Sequence, residues 1–222
     1  LIYEFPDPQT PIRQGDVFRS IPRVDMSLSE LPVIDDTGGV EIRRWNDISA
    51  GGEPVVASLG VRPTFGIVIS QNCDAVRADD IALAEIRDFT DVEKKSKQAA
   101  SAKAWVSIIT QHARLNLKWF YLPPDSRMGF HQKMGVDFLT VLRVARIDLE
   151  NMRAARIGRL NDLATEHFRE RLSDFFRRYA YDEWYPLNGD EYAEYKREYH
   201  EAKPFGWQAS QSIASNLPPS TE

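Results

Sequence analysis

Three short apolar runs, each fenced by Gly, Pro or a polar turn, constrain this chain more than anything else in it. Val55–Gly60, Gly66–Ser70 and Ile81–Ile86 hold five or six residues each and are rich in Val and Ile. A helix that buries one face needs about ten residues or more, so runs this short read as buried strands. Gln14–Phe18 reads as a first strand, and Leu117–Leu122 as another, stopped by Pro123-Pro124. Val136–Leu149 is the longest β candidate, with Arg143 and Arg146 among its apolar residues. Between these, Ser20–Gly52 reads as a long excursion with one short strand at Val40–Arg43, and Asn72–Asp80 as a polar turn.

Helices are expected in three places. Thr90-Asp91 opens one running to about Ala104, rich in Lys and Ala. Asn161 is a natural N-cap for a second, whose Leu163, Phe168, Leu172, Phe175, Phe176 and Tyr179 recur mostly at spacings of three and four. Asp190–His200 carries Tyr192, Tyr195 and Tyr199 on one stripe. The expected fold is α+β: a small, strongly bent, mostly antiparallel sheet or barrel with long inserted segments and C-terminal helices. Residues 1–180 form the expected barrel domain, with insertions at about 20–50 and 90–130. Residues 181–222 form an aromatic and acidic extension.

Composition removes several classes. One Cys among 222 residues excludes an intrachain disulfide and a Cys-cluster zinc site. No run of about 18 apolar residues is present, so no membrane span is expected, and no signal peptide is visible. The expected compartment is the cytoplasm. The net charge of −5 does not advertise nucleic-acid binding in bulk, but it is unevenly placed. From Arg143 to Leu160 five Arg (143, 146, 153, 156, 159) outweigh Asp148 and Glu150. From Tyr181 to Lys203 seven acids outweigh Lys196, Arg197 and Lys203.

The order of segments is informative. A Gly15-Asp16-Val17 is followed by Gly60-Val61-Arg62-Pro63 running into Gly66-Ile67-Val68-Ile69-Ser70, then Ile81–Ile86. Later Val136–Val141 leads to Arg156-Ile157-Gly158-Arg159-Leu160 and a helix. This order resembles the MazF/PemK family of toxin endoribonucleases, which are small SH3-like barrels. The resemblance implies an RNA-interacting protein of toxin–antitoxin or phage-defence type, a metal-independent endoribonuclease if the chemistry is kept. It also implies a homodimer, an antitoxin-like or defence-complex protein partner, and no cofactor. The family's catalytic Arg falls on Arg62, which would stabilise charge on the scissile phosphate. Thr64 and Phe65 separate that Arg-Pro from the apolar run. The family's catalytic Thr or Ser falls near Arg87, with Thr90 three residues on.

Other residues carry open alternatives. Ser70-Gln71-Asn72-Cys73-Asp74 is similar to a Ser-Gln-x-Cys-Asp signature of uncharacterised bacterial proteins. Cys73 is a candidate nucleophile with Asp74 beside it; it would need His112 or His131 as a base, and the commoner role is a small buried hydrophobe. Asp74, Asp79 and Asp80 could wrap a hard cation, but a solvated turn fits Asp as well, and no metal ligand is assigned. Arg143, Arg146, Arg153, Arg156 and Arg159 could contact RNA phosphates or form an ordinary charged strand face. Trp184, Tyr192, Tyr195 and Tyr199 either pack on the barrel or dock a partner. A non-catalytic protein-interaction module on the same barrel, and a Cys73-dependent enzyme, are the competing functional readings.

Overall fold

The computed structural model describes residues 2–91 and 118–176, together with 101, 103, 193, 194 and 197. The chain divides into two units, Leu1–Phe175 and Phe176–Glu222, and both sheets belong to the first. The elements in chain order are β1 (Tyr3–Glu4), β2 (Asp16–Val24), β3 (Leu31–Ile34), β4 (Val40–Arg43), α1 (Trp45–Ser49), β5 (Val56–Ala57) and β6 (Val61–Val68). They continue with α2 (Asn72–Arg77), β7 (Asp80–Asp88), β8 (Trp119–Leu122), β9 (Met134–Ala145), α3 (Arg146–Asn151), β10 (Arg156–Leu160) and α4 (Asp162–Phe176). The fold is α+β, and every ladder among the described residues is antiparallel.

Seven strands form one sheet in the order β1-β10-β2-β6-β7-β9-β8. Its central strands are buried on both faces, which is why their sequences read as unbroken apolar runs. Val17, Ile67, Ala84 and Ile86 join one cluster, which Phe168 and Phe175 of α4 complete. Their chain neighbours Phe18, Val68 and Leu83 point the other way, into a cluster that holds Leu149 of α3. The sheet is open: no ladder joins β1 to β8 among the described residues. Side chains link the two edges instead. The Tyr3 hydroxyl donates to the Pro123 carbonyl at 2.8 Å, just past β8, and burial pushes its pKa up. Phe130 meets the rings of Tyr3 and Phe65 edge-on.

The excursion after β2 is more ordered than its sequence suggests. It forms a second sheet, β4-β3-β5, with its own small core of Leu31, Val33 and Ile48. Asp35 fixes the β3–β4 turn by accepting from the Thr37 amide at 2.8 Å, the Thr37 hydroxyl at 2.6 Å and the Gly39 amide at 2.8 Å.

Other expectations need correction. Of Val55–Gly60 only Val56–Ala57 is a strand, at an edge of the small sheet with Val56 exposed, so that run is not a buried strand. The strand expected to reach Leu149 ends at Ala145, and α3 follows because the Arg146 amide donates to Asp79 at 2.7 Å while Leu149 turns inward. Asn72–Arg77 is a helix, not a turn. In α4, Asn161 caps as expected, accepting from the Ala164 amide at 2.9 Å. Its buried face is Ala164, Thr165, Phe168 and Phe175, while Leu163 and Phe176 are exposed. The helices expected at Thr90–Ala104 and Asp190–His200 lie largely outside the described residues. No helix among the described residues is long and apolar enough to cross a membrane.

The Gly-Asp and Gly-Arg-Leu motifs meet in one buried ion cluster. Asp16 is fully buried, and both its oxygens accept from Arg159, Oδ2 at 3.0 Å from Nη2. Arg156 Nη1 reaches the same Oδ2 at 3.0 Å. The two guanidiniums also hold the Pro-rich opening of the chain. Arg156 Nη2 donates to the Asp7 carbonyl at 2.7 Å, and Arg159 Nη2 to the Pro11 carbonyl at 2.9 Å. Proline supplies no amide donor, so such a segment is anchored through its carbonyls. Gly15 enters the cluster with φ of +88°, a conformation that disfavours any side chain. Gly158, between the two arginines, has no Cβ because the Met128 thioether occupies that space.

Two expected outcomes follow from this cluster. Asp16→Asn strands two buried cations and should lower stability by about 3–5 kcal/mol, measured by urea unfolding. Gly158→Val forces Met128 out of place and should lower it by about 1–3 kcal/mol in the same assay.

Candidate phosphate-binding cleft

Along one face of the large sheet the residues change from apolar to charged. On β6 the alternate residues run Val68, Gly66, Thr64, Arg62, and on the neighbouring β7 they run Ile81, Leu83, Glu85, Arg87. Gly66 pairs with Glu85, so the two changes fall side by side. Where the apolar residues stop, an open cleft of about 800 Å³ begins, with Arg62, Thr64, Glu85, Arg87 and His131 on its walls.

Glu85 organises this cleft. Its side chain is only 4% exposed, and its Oε1 accepts from Arg62 Nη2 at 2.8 Å and from the Thr64 hydroxyl at 3.1 Å. Arg62 itself is half exposed, and its Nε donates to Asp25 Oδ2 at 3.0 Å. The Glu85 carboxylate, and after it Asp25, push the Arg62 pKa still higher, so its charge is permanent. A second buried carboxylate stands opposite Glu85 in the β7–β9 ladder: Asp137, 3.8 Å from Arg87 and 3.5 Å from Lys118. Residues directly opposed in an antiparallel pair point to the same face.

A bulge adds to the wall. The β2–β6 register slips between Phe18 and Ile21, and Ser20 takes a φ of 61°. A positive φ is strained for a residue other than Gly. The bulge places Arg19 and Ser20 on the cleft.

The expected site residues are distributed unevenly. Arg62 lines the cleft. Arg87, the position where a Thr or Ser was expected, lines the same cleft, whereas Thr90 does not. Thr90 is exposed in the turn after β7, its amide donating to Asp88 at 2.8 Å. Cys73 is exposed on α2, so it is not the small buried hydrophobe of the common case. Its polar neighbours are Gln71 and Asp74, not the imidazole a thiolate nucleophile needs. His131 stands at the cleft, and His112 is outside the described residues. Asp80 is taken by Arg143, and no metal-holding group of three acids, His or Cys is present among the described residues.

The five arginines do not form one exposed row. Arg143 is exposed beside Asp80, while Arg146 is half buried between Glu150 and the Ala78 carbonyl. Arg156 and Arg159 are 2% and 3% exposed around Asp16, and Arg153 reaches the Gln9 carbonyl at 3.4 Å. Trp184, Tyr192, Tyr195 and Tyr199 lie outside the described residues. Sequence reasoning passed over Glu85, although a lone acid inside the run Ile81–Ile86 marks it. Asp137, the lone acid in Val136–Leu142, carried the same signal, whereas Asp25 carried none.

No protein-family model matches the chain, and no curated protein matches it.

Asp25 gives a pH test. Hydrogen bonds from Arg62 and Arg23 hold its carboxyl below the usual carboxylate range. A lowered folded pKa means that the stabilisation is complete above about pH 4 and is lost as pH falls through the lowered value. Asp25→Asn should therefore lower the urea midpoint slightly at pH 7, the carboxyl being exposed, and the difference should shrink as pH falls below the usual carboxylate range.

Proposed function

We propose that the cleft binds the phosphate backbone of RNA, and that the chain is a MazF/PemK-like RNA-interacting protein with endoribonuclease chemistry on an SH3-like fold. One observation carries this reading. Arg62, the position that the resemblance marks as catalytic, and Arg87, near which the family's Thr or Ser falls, lie on paired strands and line one cleft. Both are arginine, whose planar fork suits phosphate oxygens.

In the proposed reaction the 2′-hydroxyl gives its proton to water as its oxygen attacks the adjacent phosphorus, and the 5′-oxygen leaves with a proton taken from water, which yields a 2′,3′-cyclic phosphate and a 5′-hydroxyl. Negative charge grows on the non-bridging oxygens, and Arg62 is the group placed to stabilise it. Glu85 holds Arg62 in position from the buried side, so the guanidinium needs little reorganisation when charge develops. The same resemblance brings a homodimer and an antitoxin-like partner into the proposal.

The non-catalytic reading has one observation in its favour: two carboxylates already occupy Arg62. An assay of the full chain on mixed single-stranded RNA separates the two. Cleavage that falls by about 100-fold or more in Arg62→Ala supports the enzyme, as expected when one charge-stabilising donor is removed. Salt-dependent RNA binding without cleavage keeps the RNA-interacting reading and removes the endoribonuclease chemistry, whereas the non-catalytic protein-interaction module predicts neither. Neither cleavage nor salt-dependent binding overturns the proposal.

A further inference from the structure

Two neighbouring buried carboxylates each stand beside an arginine of this cleft, Glu85 hydrogen-bonded to Arg62 at 2.8 Å and Asp137 3.8 Å from Arg87. Glu85 carries Arg62 toward solvent, and Asp137 stands beside Arg87 and Lys118. Glu85 and Asp137 are ladder partners, only 4% and 3% exposed, while the side chains of Arg62 and Arg87 are 51% and 39% exposed. A buried acid that met a cation only to neutralise it would draw that cation inward, as Asp16 does with Arg156 and Arg159. Here each acid stays buried and its arginine remains half in water. Glu85 anchors one positive group at the cleft surface through a hydrogen bond, and Asp137 attracts the other across 3.8 Å.

Ladder geometry sets their spacing. Thr64 precedes Phe65, the partner of Ile86, so position 64 comes next to Arg87, and Arg62 lies two residues before it on β6. Strand rise and strand separation then put the two arginine Cα atoms about 8 Å apart. Two flexible guanidinium arms rooted at that distance can take two neighbouring phosphates of one strand, not only two oxygens of one phosphate.

We propose that the cleft is a two-phosphate site: Arg62 takes one phosphate of a single-stranded RNA and Arg87 the next, with Asp137 as the positioning residue of Arg87. This rests on the RNA reading above and names its substrate as an oligonucleotide with at least two phosphodiesters. A mononucleotide or a dinucleotide fills only half of the site.

The test uses uncleavable probes, 2′-O-methyl oligouridylates of two and five residues, with one and four phosphodiesters. Affinities of the full chain are measured against salt concentration. Arg62→Ala should weaken both probes. Arg87→Ala should weaken the five-residue probe by about tenfold, lower its salt slope by about 0.7, and leave the two-residue probe within about twofold. Arg87→Lys should restore the slope, because the charge is kept. Asp137→Asn should weaken the long probe in the wild type and not in the Arg87→Ala background, which a general folding defect would not reproduce. Arg87→Ala with equal effects on both probes, or with none, overturns the two-phosphate site while Arg62-dependent binding leaves the RNA reading standing. Binding of neither probe by the wild type overturns both.

Discussion

A carboxylate with no access to solvent must be met by cations, and Asp16 is met by two. Arg159 and Arg156 come from β10, and Asp16 opens β2, so the pairing fixes how these two strands lie. It also fixes the opening of the chain, whose carbonyls at Asp7 and Pro11 accept from the same two guanidiniums. Breaking a buried pair by removing one member is costly because the survivor stays charged and dry. The arginines that look most suited to hold a ligand's backbone are therefore occupied in holding the protein's own.

The same economy governs the cleft. Strands β6 and β7 supply core at one end and charge at the other, on a single face, with no loop needed to make the change. Val68 and Ile81 belong to the core cluster, and four residues along each strand, at Thr64 and Glu85, the polar floor has begun. A site built on paired strands inherits their rigidity. The buried Glu85 adds a fixed partner for Arg62, and the bulge at Ser20 bends β2 toward the same space. Positive φ at a non-glycine residue costs energy that the surrounding pairing must supply, a pattern common where backbone geometry serves a site.

Strand positions were largely legible in the sequence because central strands buried on both faces leave continuous apolar runs. The runs around Ile67 and Leu83 are found where expected, and so is the Asn161 cap. The excursion between β2 and β6 was not legible as a sheet, since its core rests on three side chains and strands of two to four residues. Charge was the least legible. Five arginines in 17 residues read as one surface, but a sequence does not reveal that Asp16, about 140 positions earlier, buries two of them. Arg62 was legible through its Pro63 and the apolar strand that follows. Glu85 was visible as an acid inside an apolar run, and its meaning required knowing that Gly66 and Thr64 lie beside it.

On the proposed reading, Glu85 contributes to RNA binding only through Arg62. A double-mutant cycle on single-stranded RNA affinity tests it most directly, using Glu85→Gln, Arg62→Ala and the two combined in the full chain. The account predicts strong non-additivity: Glu85→Gln weakens binding in the wild type and changes nothing once Arg62 is gone. Additive losses, or RNA affinity indifferent to Arg62, would contradict it.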